Sequence, residues 1–213
     1  MSDILREIED ELRRDNLLKL WQRYRTHVII AVLVVFAIAG GVVVWRNHLA
    51  TQRKEVSTQF FGALSLIGQG KDADAAVLFD KIAQSGGGYA VLARFERADL
   101  LTKTGNQVGA VAIYDSIAKS TDTDPEYRDL ATLLSVMHSL ATADPKSEIA
   151  RLGPLTQSGN AWRPSALYLT AAAELKAGDK SAALAIYKKL SDDLSAPEGL
   201  RARATEMAAA LAP

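Results

Sequence analysis

The most apolar part of the chain is a run of twenty residues between Arg25 and Arg46 that contains no Asp, Glu, Lys or Arg. An α-helix rises about 1.5 Å per residue, so a run of this length matches the roughly 30 Å hydrocarbon core of a bilayer. Tyr24 and Trp45 lie at its two ends, where aromatic rings favour the headgroup layer. We therefore predict that residues 26–45 form a single transmembrane helix.

Two other interpretations of this apolar run remain open. One is a buried helix of a soluble protein, although such a helix normally keeps a polar face. The other is a cleavable signal peptide, because Ala37, Ile38 and Ala39 form an A-x-A site after a short apolar stretch. An uncleaved anchor is favoured over the signal peptide, since the sequence stays apolar through Val44 and the segment before the run is long and rich in acidic residues.

Basic residues on the two sides of the run predict its orientation, because Lys and Arg are retained on the cytoplasmic side. Five of them precede the run and three follow it within a similar distance. The five are Arg13, Arg14, Lys19, Arg23 and Arg25, and the three are Arg46, Arg53 and Lys54. The sequence thus predicts a single-pass protein of a bacterial inner membrane, with residues 1–25 as a cytoplasmic amphipathic segment and residues 46–213 as a periplasmic domain.

A repeated pattern of small and large apolar residues follows the run. Three segments superimpose without gaps, beginning at Gly70, Gly105 and Gly178. Five residues after each Gly stands Ala, nine residues after it Phe or Tyr, and twelve residues after it Ile or Leu. Seven residues before each Gly stands Ala, and ten residues before it Phe or Tyr. Because these offsets place the apolar residues on one helix face, each unit is predicted to be a helix, a Gly turn and a second helix.

The spacing of the Gly residues leaves room for one more unit. The first two are 35 residues apart, whereas the second and third are 73 residues apart. Residues 126–142 are predicted to form the first helix of this degenerate unit. A second helix from Asp144 keeps Leu152 and Leu155 at the large apolar positions but has Glu148 at the small one.

Composition and the end of the chain complete the predicted fold. Aromatic residues make up only 7% of the chain and Ala is abundant, which favours closely packed helices over a sheet. Residues 198–211 are predicted to form a lone helix that covers the last repeat. We therefore predict an all-α protein, with a single N-terminal transmembrane helix followed by an α-solenoid of about four helix pairs and a C-terminal capping helix.

The charge of the chain is balanced. Residues 1–45 carry six basic and six acidic groups, and residues 46–213 carry nineteen of each. Without a basic surface there is no electrostatic basis for binding nucleic acid. The chain has no Cys, which excludes disulfides, thiol catalysis and thiolate metal sites.

Short motifs that resemble catalytic elements do not assemble into a site. Ser116 and Lys119, together with Lys103–Gly105, resemble fragments of penicillin-binding enzymes, but their order along the chain is reversed and both lie in helical-repeat register. Two of the three His residues flank the predicted bilayer on opposite sides, and the third stands alone in a helix, so they cannot share a metal ion. The sequence predicts no catalytic, cofactor-binding or metal site and no enzyme activity.

The repeat pattern resembles the tetratricopeptide repeat, whose units are helix pairs of about 34 residues. The resemblance covers about residues 50–211. It is partial, because the usual Trp of the first helix is missing and Ala stands where that helix usually has Gly. The resemblance implies a tetratricopeptide-like α-solenoid of irregular units.

Together with the anchor, these repeats are similar to the YfgM-like family of ancillary SecYEG translocon subunits. The residues that carry the likeness are Leu20–Tyr24, the anchor, Arg46, and the stretch from Phe60 to Phe79. The resemblance implies a membrane-anchored protein-interaction module beside a SecYEG-type translocon and a periplasmic membrane-anchored chaperone. Such a module would assist exported polypeptides and would need no cofactor.

The first helices of stacked pairs can expose a concave surface that holds an extended segment or a partner helix. Phe60, Phe95 and Tyr168 occupy equivalent places on those helices and are predicted to bind a partner. The other interpretation of the three rings is that they fill the core. The alternative function is an envelope scaffold, in which the repeats recruit cell-wall or division proteins and do not contact exported chains.

Overall fold

The computed structural model describes the backbone of residues 2–212 and the side-chain surroundings of Arg23, Arg25, Ile30, residues 33–36 and residues 38–212. Predictions about other side chains, including the amphipathic face of residues 1–25 and Ala37 of the A-x-A site, lie outside the described residues. By its internal contacts the chain divides into two units, Met1–Glu55 and Val56–Pro213.

The first unit is formed by helix α1, which runs from Ser2 to Gly68 and so continues into the second unit. In its described part, the stretch Leu33–Gly68 contains an 18-residue window of mean hydropathy 1.6, none of which is buried. Between Leu33 and Trp45 the large apolar side chains that the structure describes are exposed, from 50% at Val34 to 71% at Phe36. One helix among the described residues is therefore long and apolar enough to cross a membrane, by length and composition. A helix inside a soluble core would bury such residues.

The second unit is a stack of helices. After α1 come α2 (Asp72–Ala83), α3 (Gly88–Lys103), α4 (Gln107–Ala118), α5 (Pro125–Ser139), α6 (Pro145–Leu152), a 3-10 turn (Gly153–Thr156), α7 (Arg163–Lys176), α8 (Lys180–Ser191) and α9 (Glu198–Leu211). No strand occurs among residues 2–212. The predicted all-α fold is confirmed.

Consecutive helices pack in pairs, and each pair packs on the next. We call residues 56–68 of α1, together with α3, α5 and α7, the first helices, and α2, α4, α6 and α8 the second helices. Helix α9 packs on α8, where Ala204 and Ala208 are buried against Tyr187 and Leu190. Four helix pairs and a C-terminal capping helix are the solenoid that the sequence predicts.

Glycine turns join the helices of three pairs. Gly70, Gly105 and Gly178 have φ angles of +75°, +79° and +90°, a left-handed conformation that other residues rarely adopt. In each turn the Gly N–H bonds to the carbonyl three residues back, and the next N–H bonds to the carbonyl five residues back. These are the two bonds of the Schellman motif, which ends one helix and points the chain into the next.

The core follows the offsets of the repeat. The small residues where paired helices cross have no exposed surface, and they are Ala63, Ala75, Ala98, Ala110, Ala171 and Ala183. The large apolar residues at the repeat positions of the second helices and of the 3-10 turn are at most 3% exposed, and they are Phe79, Ile82, Tyr114, Ile117, Leu152, Leu155, Tyr187 and Leu190. Because Ala lets the helix backbones approach closely, the neighbouring rings and branched side chains fill the remaining space.

Candidate partner-binding surface

The three residues predicted to bind a partner lie on the first helices, about one turn before the Ala of the helix crossing. The structure places Phe60 in the core, with 6% of its surface exposed. Phe95 and Tyr168 are half-buried. The equivalent residue of the degenerate unit is Leu133, which is buried at 8% exposure. The four positions therefore differ in how much of each side chain a partner could touch.

Each of the three rings meets the aromatic residue of the second helix in its own unit. The ring centroids are 5.7 Å apart for Phe60 and Phe79, 6.0 Å for Phe95 and Tyr114, and 5.4 Å for Tyr168 and Tyr187. These separations are those of favourable aromatic pairs. Burial, followed by the neighbouring Tyr168, raises the pKa of Tyr187 to about 12, because a phenolate is poorly solvated in this contact.

The same side chains also reach the following unit. The ring centroid of Phe60 lies 5.3 Å from that of Tyr89, and Phe95 lies 6.3 Å from Tyr127. At the next junction, Trp162 of the fourth unit packs against the cluster that contains Leu133 of the third unit. In the fourth unit, Tyr168 and Leu200 of the capping helix pack against one buried cluster. Aromatic residues therefore hold successive first helices together.

Tyr89, Tyr127 and Trp162 form a second repeated position that the sequence comparison did not include. Tyr89 and Trp162 stand sixteen residues before Gly105 and Gly178, and Tyr127 takes the same place in the degenerate unit. Extending the gapless comparison six residues upstream of the first aromatic position would have found them. We call Phe60, Tyr89, Phe95, Tyr127, Trp162 and Tyr168 the aromatic ladder.

Hydrogen bonds fix two of the three rings at this second position, those of Tyr89 and Trp162. The hydroxyl groups of Ser57 and Tyr89 lie 2.9 Å apart. The indole N–H of Trp162 donates to the carbonyl of Glu126 at 3.2 Å. Each bond joins one unit to the next and fixes the polar end of the ring. The apolar face of the ring then stays along the first helices.

Acidic residues of α3 border the ladder. Asp99 is exposed and follows Phe95 by four residues, which places both on one face of the helix. Burial, followed by the charge of Asp99, raises the pKa of Glu96. Burial, followed by Asp99 and Glu96, raises the pKa of Tyr114 to about 12. The ring of His138 stacks on Tyr114, with centroids 5.8 Å apart and planes 11° apart.

The residues that resemble catalytic fragments make structural contacts. Ser116 Oγ donates to the carbonyl of Ile113 at 2.7 Å and accepts from Arg94 Nη2 at 2.6 Å. Lys103 Nζ forms an ion pair with Asp72 at 3.3 Å. Within the part of the chain that the structure describes, no group of three or more His, Asp or Glu side chains is placed to hold a metal ion.

Comparisons with known proteins agree with this architecture. A sequence profile described as a tetratricopeptide repeat-like domain matches residues 19–148, which include the predicted anchor, the first two helix pairs and α5. Four chains of solved structures match. One is the crystal structure of a variant of a Podosopora anserina protein, described as a kinesin light chain with nearly identical TPR-like repeats.

That structure is 13% identical to this chain, covers 74% of it and 84% of its own length, and superimposes with a TM-score of 0.57. At this level of identity the likeness shows the fold alone. No curated protein sequence matches the chain.

Proposed function

The chain belongs to the tetratricopeptide repeat-like domain family, and from this membership we propose that it is a membrane-anchored protein-interaction module. The observation that carries the proposal is the aromatic ladder, which joins the first helices of successive units along the stack. Stacked repeats form extended surfaces, and aromatic residues are enriched where proteins bind one another.

In this proposal, a segment of the partner lies along α3, α5 and α7. Phe95 and Tyr168 are half-buried, so a partner can cover the part of each ring that faces solvent. Phe60 is almost fully buried and contacts Tyr89, so it supports the surface from within. Asp99 lies one turn beyond Phe95 on the same face and contacts the partner at the edge of the ladder.

We further propose that α1 anchors the repeats in a bacterial inner membrane, with the N-terminus cytoplasmic and the repeat domain periplasmic. Three observations support this. The described large apolar side chains between Leu33 and Trp45 of α1 are exposed, as lipid contact requires. More basic residues precede the apolar run than follow it. The family profile covers the run and the first repeats together, so the two belong to one domain type.

The partners that we propose are a SecYEG-type translocon and a periplasmic membrane-anchored chaperone, with exported polypeptides as clients. This part rests on the likeness of Leu20–Tyr24, the anchor and residues 60–79 to the YfgM-like proteins. A periplasmic domain tethered beside the translocon would meet exported chains as they leave the membrane.

The binding surface is tested by comparing two charge substitutions at exposed positions. Asp99→Lys alters the first-helix face, and Ala112→Lys places the same charge on the second helix of the same unit. We expect Asp99→Lys to lose most chemical crosslinking to translocon and chaperone subunits in membranes, and Ala112→Lys to keep it. Equal unfolding midpoints would show that both variants fold. Crosslinking that survives in Asp99→Lys but is lost in Ala112→Lys would assign partner binding to the face formed by the second helices.

The location and partners are tested separately. Alkaline phosphatase fused to the C-terminus should be active, because this enzyme works only in the periplasm, and the chain should resist extraction by alkaline carbonate. A photo-crosslinker at Val43, which is 66% exposed, should trap SecY-type subunits. Trapping of cell-wall or division proteins instead would support the envelope scaffold, and release by carbonate would support a cleaved signal peptide.

A further inference from the structure

The third helix pair, α5 and α6, is built differently from the other three. In the others, Ala75, Ala110 or Ala183 lies at the crossing of the helices with no exposed surface. In the third, Glu148 occupies that position and is 4% exposed. A carboxylate is larger than a methyl group and has to be hydrogen-bonded when buried, so α5 and α6 cannot approach as the other pairs do. They share less packing than α3 with α4 or α7 with α8.

A cluster of polar side chains replaces the missing apolar contact. Arg151 donates from Nη1 to Glu148 Oε2 at 3.1 Å and from Nη2 to Asp115 Oδ1 at 2.6 Å. Ser135 Oγ accepts from Arg151 at 2.8 Å and itself donates to Asp115, and Ser139 Oγ donates to Glu148 at 3.2 Å. We call these five residues the polar latch. One guanidinium thus holds two carboxylates and joins α4, α5 and α6.

The turn of the third pair also depends on a charged side chain. No residue between α5 and α6 has the left-handed conformation that the Gly turns use. Instead, Lys176 Nζ of α7 donates to the carbonyls of Leu140, Ala141 and Ala143 at 2.7, 3.0 and 2.7 Å. These carbonyls lie at and beyond the end of α5, where helix carbonyls lack partners within the helix. The third pair is therefore closed by two cations, Arg151 within the latch and Lys176 at the turn.

We propose that α6 and its 3-10 turn, residues 145–156, form a joint that opens while the neighbouring helix pairs stay closed, with Arg151 as the residue that keeps it shut. Glu148 is buried, whereas the side chains of Arg151 and Asp115 are 30% exposed. Removing Arg151 therefore leaves the buried carboxylate of Glu148 without a compensating charge. Local opening occurs where apolar packing is least. Because α6 lies between α5 and α7, its opening changes the spacing of these first helices and so the shape of the partner-binding surface.

Hydrogen exchange of the full-length protein in lipid nanodiscs tests this proposal. Backbone amides of residues 145–156 should exchange faster than those of α2 and α8, the second helices of the first and fourth pairs. In Arg151→Met, exchange in residues 145–156 should rise by about tenfold or more, while α2 and α8 keep their rates. Equal exchange in all three helices of the wild-type protein would overturn the joint.

Two further variants separate a joint from general destabilisation. Arg97→Met removes the ion pair with Asp80, which stands in the first unit where Asp115 stands in the second, ten residues after the turn Gly. This variant should leave exchange in α2 and in residues 145–156 unchanged. The double substitution Glu148→Ala/Arg151→Met places Ala at the crossing of α5 and α6, as in the other three pairs. Exchange in residues 145–156 should then return to the wild-type rate or below. If both Arg151 variants lost protection from hydrogen exchange across the whole domain, the latch would stabilise the domain as a whole, and the proposal would be refuted.

Discussion

Alanine at the helix crossings sets how closely paired helices pack. The six residues at these crossings in the regular units have no exposed surface. Because no space to solvent is left at these positions, a longer side chain would have to push the helices apart or leave its rotamer minimum. The identity of a single small residue thus determines the geometry of each pair.

Ala110→Leu should lower the free energy of unfolding by about 1–3 kcal/mol, because three extra carbon atoms would enter a filled crossing. Ala112→Leu is the matched control, since Ala112 lies on the same helix with its side chain exposed. Its effect should stay within about 0.5 kcal/mol. Urea unfolding of the full chain in detergent, followed by circular dichroism, measures both. Equal losses of unfolding free energy in the two variants would contradict the conclusion that the paired helices approach most closely at Ala110.

At this scale, the apolar pattern predicted which residues are buried at the helix crossings, and it left the exposure of the first-helix rings open. It identified Ala110, Tyr114 and Ile117 as one buried face because their offsets recur in other units. It could not decide how exposed Phe95 and Tyr168 are, since that depends on the following unit. These rings pack against residues of the element that follows their own unit. The repeat pattern describes the residues within one unit and does not describe that contact. The binding role of Phe60, Phe95 and Tyr168 stays a prediction.

Turns and helix ends decide where each element stops. Residues 198–211 were predicted as the closing helix, and α9 has these bounds. Helix α5 ends at Ser139, short of the predicted 142, and no Gly marks this end. Helix α6 ends at Leu152 and continues as a 3-10 turn that contains Pro154, whose missing N–H interrupts the α-helical ladder. The sequence predicts helix ends reliably where a Gly turn or Pro is present, and less well in the degenerate unit.

Gly105→Ala should lower the free energy of unfolding by about 1 kcal/mol, because its φ of +79° is unfavourable for a residue with a Cβ atom. Gly62→Ala is the contrasting variant. Gly62 lies inside helix α1, and an added Cβ would meet nothing within 4 Å. This change should raise stability by up to about 1 kcal/mol through higher helix propensity. Opposite shifts of the urea midpoint would confirm the role of the turn, and a loss in both would contradict it.

For the whole molecule, the sequence predicted the number of units but not the charged contacts between them. Asp80 and Asp115 occupy the same repeat position, yet Asp80 pairs with Arg97 of the next first helix and Asp115 pairs with Arg151 of the next second helix. Apolar periodicity is shared by all units, whereas each ion pair depends on which long side chain can reach. The charged contacts therefore make each junction between units different.

Stability along such a stack comes from contacts between neighbours, so the last pair depends on its cap. Removing residues 198–213 should expose Tyr187 and Leu190, which are 1% and 0% exposed in the intact domain. We expect a loss of about 3 kcal/mol or more in the stability of α7 and α8, from the apolar surface returned to water. The cap packs on α7 and α8, so helices α2 to α4 should keep their protection from hydrogen exchange.

The double substitution Arg203→Ala/Glu206→Ala, on the exposed face of α9, is the control and should change nothing measurable. Hydrogen exchange resolved by helix distinguishes the outcomes. Loss of protection confined to α7 and α8 would establish that stability passes from neighbour to neighbour. Simultaneous loss from α2 to α8 would mean that the domain folds as one cooperative unit, and then a joint at α6 could not open on its own.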